Sequence, residues 1–134
     1  MKKGNYPEIS AFAEHLGFEM VERDHGKIVL SMVPEEFTKN RTGGVHGGVV
    51  CALLDTALGL AASTVSSGSE VVTVTLDVSF VAASKGRLIA TGSVVKGGRS
   101  LIFCRGDVVD STDTLVAVGS ATMKIVRPHI GNRP

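Results

Sequence analysis

The segment from Val49 to Ala62 is predominantly apolar and contains a single charged side chain, that of Asp55. A helix that is apolar on nearly every side has to be surrounded by other elements, so this segment constrains the whole fold. We expect the helix to run from about Gly47 to Thr64, with the remaining chain wrapped around it. A lone carboxylate in such a helix is costly to bury unless another group pairs with it or uses it.

Apolar periodicity and turn residues predict the other elements. The predicted set, in chain order, is a short helix Pro7–Leu16, strands Phe18–Arg23 and Lys27–Val33, a loop Pro34–Gly44, the long helix, and strands Val71–Val81, Arg87–Lys96, Ser100–Val109 and Leu115–Arg127. Strands and helices do not alternate, which argues against a doubly wound parallel sheet. The predicted class is α+β, with an antiparallel sheet curled around one long helix.

The strand that follows the long helix alternates between apolar and polar residues. Its predicted apolar face carries Val72, Val74, Leu76, Val78 and Phe80, and its other face carries Thr73, Thr75, Asp77 and Ser79. Such alternation is typical of a strand with one face on a core. The pattern therefore predicts that Thr73 lies on the face opposite the apolar one.

Composition excludes several classes of function. The chain has 134 residues, a net charge of +1 and only six aromatic residues (five Phe and Tyr6), which argues against a nucleic-acid-binding surface. The longest apolar-or-glycine run, Gly47 to Leu54, is too short to cross a membrane, and no signal peptide is visible. We expect one cytoplasmic domain over residues 1–134, with loose termini at 1–6 and 128–134.

Two cysteines, Cys51 and Cys104, form no metal-binding or redox motif, and the histidines have no metal-ligand spacing. We expect both cysteines to be small core residues. His46 lies five residues before Cys51, on a different helical face, so a Cys–His nucleophile pair is not expected. No metal and no cofactor are predicted.

The glycine-rich segment before the long helix is the second candidate for a functional group. A helix start exposes backbone N–H groups that stabilise negative charge, and here they belong to Gly47 and Gly48. Asp55 lies eight residues after Gly47, which is about 12 Å along a helix axis. One helix therefore cannot bring both groups to one carbonyl, whereas two antiparallel copies can. This spacing predicts an obligate dimer with two equivalent sites at its interface.

Small residues surround Asp55 at helical spacing, mainly Gly48, Cys51, Ala52 and Gly59. They leave space either for a ligand or for the close approach of another helix, with Asp55 in a structural role. From composition alone, both interpretations stay open.

The pattern Asn40-x-x-Gly43-x-x-His46-Gly47-Gly48-x6-Asp55 resembles the signature of the hotdog-fold acyl-CoA thioesterases, in particular the PaaI-like family of phenylacetic acid degradation. The resemblance extends from Ile9 to Val126 and implies a hotdog fold. It also implies roles for five residues: the Gly47 N–H polarises the thioester carbonyl, Asn40 holds the carbonyl or water, His46 shapes the turn, Asp55 is base or nucleophile, and Thr73 orients the attacking water.

The resemblance further implies that Gly48 and the segment Gly97-Gly98-Arg99-Ser100 contact the CoA part of the substrate. That segment is first of all a hairpin turn, and this interpretation alone explains its glycines. CoA enters as part of the substrate, so no separate cofactor is implied. We expect the dimers to pair into tetramers.

Three functions follow as hypotheses. The first is hydrolysis of an acyl-CoA with a small or medium aliphatic or aryl acyl group, with Asp55 as general base or as nucleophile. The second is hydration or dehydration of an enoyl thioester, which the same fold supports with a different arrangement of His and acid. The third is a non-catalytic acyl-CoA-binding protein.

Overall fold

The computed structural model describes residues 8–126, so the predicted loose termini lie outside the described residues. Its six strands are β1 (Glu19–Asp24), β2 (Lys27–Met32), β3 (Glu70–Phe80), β4 (Leu88–Gly97), β5 (Leu101–Asp110) and β6 (Leu115–Val126). They form one sheet in the order β1-β2-β4-β5-β6-β3, and every neighbouring pair is antiparallel. The predicted α+β class with an antiparallel sheet is confirmed.

The long helix α2 (Gly47–Ser63) packs against β2, β3, β4, β5 and β6. Its sheet-facing side is fully apolar and consists of Val50, Leu53, Leu54, Ala57, Leu58, Ala61 and Ala62, all buried. The prediction that the helix is surrounded holds for this side only. The opposite stripe, with Cys51, Ala52, Asp55 and Gly59, stays half-buried. No helix within residues 8–126 is long and apolar enough to cross a bilayer.

Three glycines allow α2 to lie close to the sheet. Gly92, Gly106 and Gly119 are paired across β4, β5 and β6, so they form one row beneath the helix. A Cβ on Gly92 would lie 2.9 Å from the backbone carbonyl of Ala57, and a Cβ on Gly119 would lie 3.2 Å from Leu54. The sheet thus has no side chains where the helix backbone approaches most closely.

The first helix is shorter than predicted. α1 spans Ala11–His15, because the Ser10 side chain accepts a hydrogen bond from the Ala13 N–H and caps the helix at that point. The predicted loop between β2 and α2 also contains a 3₁₀ turn, Glu36–Thr38, whose Thr38 hydroxyl donates to the Glu35 carbonyl.

A β-bulge at Val74 changes the faces of β3. Thr73 pairs with Met123 and Thr75 with Thr122, so Val74 is an extra residue that reverses the alternation. The prediction of one continuous apolar face is wrong at this point. Thr73 lies on the same face as the buried Met123, towards α2, while Val72 and Val74 are 49% and 54% exposed.

The β3–β4 connection, residues 81–87, crosses one end of the sheet, because β3 and β4 are separated in it by β6 and β5. On the way it passes the turn between β5 and β6. Backbone hydrogen bonds from Val81 and Ala82 to the Val116 carbonyl hold its first part. The same end of the sheet contains the start of α2.

Candidate active site

Asn40 organises the loop that leads into α2. Its Oδ1 accepts hydrogen bonds from the Thr42 N–H (3.0 Å), the Thr42 hydroxyl (2.9 Å) and the Gly44 N–H (3.1 Å). The oxygen end of the amide is therefore occupied. Its Nδ2 group has no partner among residues 8–126, so the donor end is available to an acceptor such as a carbonyl oxygen or water.

His46 is the N-cap of α2. Its Nδ1 accepts a hydrogen bond of 2.8 Å from the Gly48 N–H, which requires the neutral ring with its proton on Nε2. The His46 carbonyl accepts from the N–H groups of Val49 and Val50. The expected role of His46 in the turn is consistent with this cap.

Because the N–H groups of Gly48, Val49 and Val50 all bond to His46, the Gly47 N–H is the one N–H in the first turn of α2 without a partner in the described chain. An unpaired N–H at a helix start is a favourable donor for developing negative charge. Gly48, which we expected to contact CoA, instead donates its N–H to His46. Its backbone N–H is therefore not available to a substrate in this structure.

A cleft of about 680 Å³ lies in front of Gly47. It is lined by Asn40, Thr42, Gly43, Gly44, Val45, Gly47, Val50, residues 80–84 and Val116. The ring of Phe80 lies against Gly47, because a Cβ on Gly47 would be 3.3 Å from Phe80 Cζ. The cleft thus combines two free N–H donors, from Gly47 and Asn40, with a largely apolar wall.

Asp55 and Thr73 form a second group. The Thr73 hydroxyl donates a hydrogen bond of 2.7 Å to Asp55 Oδ1, and Met123 Sδ lies 3.3 Å from the same hydroxyl oxygen. The bulge at Val74 makes this contact possible, since it turns Thr73 towards α2. Asp55 is half-buried in the single chain and so remains within reach of a ligand.

The N–H donors of the cleft and the pair of Asp55 and Thr73 are not brought together within one chain. Asp55 and Thr73 do not line the cleft, and the helix separates Asp55 from Gly47 by about 12 Å. Gly47, Cys51 and Asp55 follow one another at four-residue spacing, so they share one face of α2. Each chain therefore presents two half-sites on one surface.

The predicted CoA-contacting segment, Gly97 to Ser100, is the exposed hairpin between β4 and β5, and the Gly98 N–H donates to the Leu101 carbonyl at 2.9 Å. Gly97 lies beside Val65, just after the C-terminal end of α2. Within one chain this hairpin and the cleft are at opposite ends of the helix.

Cys104 is buried as expected, and burial raises the pKa of its thiol from 9.0 to about 11. A thiol with so high a pKa is not a nucleophile near neutral pH. Cys51 is half-buried on α2.

Sequence-based reasoning missed the wall of the cleft, residues 80–84. Each of these residues looks like an ordinary strand end or loop residue, and only the sheet order shows that the segment crosses in front of Gly47. The only sequence signal for this segment is that the alternation of polar and apolar residues ends after Phe80.

The chain belongs to the thioesterase superfamily, whose family model matches residues 42–117. A Halobacterium salinarum protein described as a candidate esterase is 30% identical over 135 residues, covering 92% of this chain and 89% of its own. Acyl-coenzyme A thioesterase 13 of Homo sapiens is 28% identical over 116 residues, covering 84% of this chain and 79% of its own.

Among solved structures, the Escherichia coli PaaI protein from the phenylacetic acid degradation operon has the same fold. The TM-score is 0.83 at 23% identity, with 88% of this chain and 86% of that chain covered. The hotdog fold and the PaaI-like resemblance predicted from sequence are confirmed.

Proposed function

We propose that the protein hydrolyses the thioester bond of an acyl-CoA to a free acid and CoA. The observation that carries the proposal is that Gly47, with its unpaired N–H, and Asn40, with its free Nδ2 group, both line the cleft. A thioester carbonyl placed there receives two donors, which stabilise the negative charge that develops on its oxygen. The human relative named as an acyl-coenzyme A thioesterase supports the choice of substrate.

The acid–base group of this site comes from a second copy of the chain. The half-site of Asp55 and Thr73 lies about 12 Å from Gly47 on the same face of α2, too far for one carbonyl. In an antiparallel pair of helices, Gly47 of each subunit faces Asp55 of its partner, and Cys51 lies at the midpoint. The small residues along this stripe permit such an approach. Further pairing of dimers into tetramers stays a prediction.

The two half-sites then divide the reaction between subunits. Asp55 either takes a proton from an attacking water or attacks the carbonyl carbon itself. In both routes the C–S bond breaks, CoA leaves as a thiolate that takes up a proton, and water supplies the second carboxylate oxygen. The Thr73 hydroxyl holds the Asp55 carboxylate by donating a hydrogen bond of 2.7 Å to it. The lone pairs of the Thr73 oxygen remain free to accept a hydrogen bond from water.

The acyl group we expect is a small or medium aliphatic or aryl group. The walls of the cleft are mostly apolar, with Val45, Val50, Phe80 and Val81 among them, and the cleft holds about 680 Å³. No charged side chain lines the cleft within the described residues. An apolar acyl group therefore fits better than a dicarboxylic one.

The test is release of free CoA thiol from a panel of aliphatic and aryl acyl-CoAs. Asp55→Asn should lower kcat by about 10²–10⁴-fold, since it removes the acid–base group but keeps its shape. Asp77→Asn is the matched control: Asp77 is an exposed carboxylate on β3 that faces away from α2, and its loss should leave kcat unchanged.

Three outcomes would contradict the proposal. If Asp55→Asn hydrolysed the best substrate as fast as the wild type, Asp55 would have no catalytic role. If no acyl-CoA released thiol but enoyl-CoA was hydrated, the protein would be a hydratase. Binding of acyl-CoA without either reaction would point to the non-catalytic hypothesis.

A further inference from the structure

We infer that Asp110, which lies outside the cleft, is a positioning residue that holds the wall of the cleft in place. The inference rests on the proposed function, because the wall matters to catalysis only if the cleft binds the substrate. Asp110 is the last residue of β5 and is 4% exposed.

The two carboxylate oxygens of Asp110 have different tasks. Oδ1 accepts from the Thr112 hydroxyl (2.7 Å), the Thr112 N–H (2.8 Å) and the Thr114 N–H (3.1 Å), which closes the turn between β5 and β6. Oδ2 accepts from the Lys85 N–H at 2.9 Å, in the crossing segment 81–87. One side chain thus joins two loops that are 25 residues apart in sequence.

A second contact joins the same two loops. The Ser111 hydroxyl donates to the Lys85 carbonyl at 2.7 Å, and the Ser111 N–H lies 3.4 Å from that oxygen. Both backbone groups of Lys85 are therefore held by the β5–β6 turn. Ser111 also packs directly against Gly86, where a Cβ would lie 2.5 Å from Ser111 Oγ.

The tie at Lys85 lies next to residues 81–84, the part of the wall of the cleft that follows Phe80. At its other end this wall is held by the Val116 carbonyl, and beside Lys85 the Ser84 hydroxyl accepts a hydrogen bond of 3.4 Å from the Val45 N–H. Without the tie at Lys85, only the first residues of the wall remain attached to the sheet. The distance between the wall and the Gly47 N–H then depends on Asp110 and Ser111.

The wall has no acid–base group: Val81, Ala82 and Ala83 are apolar, and the Ser84 hydroxyl accepts from the Val45 N–H. Its contacts with a bound substrate are the same in the ground state and in the transition state. Displacement of the wall should therefore raise KM and leave kcat almost unchanged. A raised KM with an unchanged kcat distinguishes a positioning role from general destabilisation of the fold, because general destabilisation does not change KM selectively.

Asp110→Asn is the main variant, because an amide cannot accept from both sets of donors. Thr112→Val is the matched control, since it removes a hydrogen bond to Asp110 Oδ1 within the turn and leaves the tie to Lys85 intact. Ser111→Ala removes only the hydroxyl bond to Lys85 and provides a milder variant if Asp110→Asn does not fold. KM and kcat are measured on the best acyl-CoA, and amide hydrogen exchange is measured over residues 81–86.

We expect Asp110→Asn to raise KM about tenfold with kcat within about twofold of the wild type, and Ser111→Ala to raise KM by a smaller factor. Exchange over residues 81–86 should accelerate in both variants and remain unchanged in Thr112→Val. An equal KM effect in Thr112→Val, or unchanged exchange over residues 81–86 in Asp110→Asn, would overturn the inference. If the wild type hydrolysed no acyl-CoA, the proposed function would fail, and the exchange measurement would still decide whether Asp110 holds the wall.

Discussion

Asp55 and Thr73 are 18 residues apart in sequence, and their hydrogen bond depends on one irregularity in β3. The resemblance to a known family predicted Thr73 as a site residue, although regular alternation placed its side chain on the outer face. The extra residue Val74 resolves this conflict by reversing the faces of the strand. The bulge could not be predicted, because the polar and apolar residues continue to alternate through it.

Thr73→Val tests the role of this hydroxyl. A valine has nearly the same shape but cannot hold the Asp55 carboxylate or accept from water, so we expect kcat to fall by about 10–100-fold, the equivalent of one hydrogen bond to a charged group. Thr73→Ser keeps the hydroxyl and is the control, with kcat expected within a few-fold of the wild type. Equal activity of the valine and serine variants in the thiol-release assay would show that the hydroxyl is not used.

Asp110 makes the free energy of unfolding depend on pH under acidic conditions. The hydrogen bond from the Thr112 hydroxyl, with those from the backbone N–H groups of Lys85, Thr112 and Thr114, lowers the pKa of Asp110 from 3.8 to about 2 against the opposing effect of burial. Because the folded-state pKa is below the unfolded-state value, its contribution is complete above pH 3.8 and is lost as the pH falls towards 2.

In urea titrations, the free energy of unfolding of the wild type should therefore fall more steeply between about pH 4 and pH 2 than that of Asp110→Asn. Asp77→Asn, which removes an exposed carboxylate, should retain the steep dependence of the wild type. Parallel curves for the wild type and Asp110→Asn would mean that the Asp110 carboxylate does not have its lowered pKa in the folded state.

At the scale of elements, the ends of α2 were predicted to within one residue, because the glycines at its start and the polar residues after Ser63 are local signals. The short α1 was predicted too long, since Pro7 and Ser10 both permit a helix start and Ser10 supplies the cap. The glycine row under α2 was not predicted. Gly92, Gly106 and Gly119 belong to three different strands, and their alignment depends on the strand register.

Gly92→Ala tests whether this row sets the distance between helix and sheet. The added Cβ would lie 2.9 Å from the carbonyl carbon and oxygen of Ala57, so we expect the free energy of unfolding to fall by about 1–3 kcal/mol, as for overpacking. Gly97→Ala is the control, because its Cβ would meet Val65 at an ordinary 3.8 Å. If both variants were equally stable in urea, the helix would not need the glycine at position 92.

At the scale of the whole molecule, the residues of both half-sites were named from the sequence. The distance between Gly47 and Asp55 along the helix then predicted a dimer. The wall of the cleft was not predicted, since residues 81–84 reach it only because the chain crosses from β3 to β4 over two intervening strands. Local patterns contain no information on such a crossing. We propose that the cleft with Gly47 and Asn40 and the pair of Asp55 and Thr73 form a complete site only when two chains meet.

Complementation between two inactive variants tests this central claim most directly. Asn40→Ala disables the donor half-site and Asp55→Asn disables the acid–base half-site, so each homodimer should hydrolyse its acyl-CoA very slowly. In a heterodimer of the two variants, one of the two interface sites contains both intact half-sites. An equal mixture, unfolded and refolded together, contains about half heterodimers and should recover about a quarter of wild-type kcat. A mixture no more active than the separate variants would contradict a site shared between subunits.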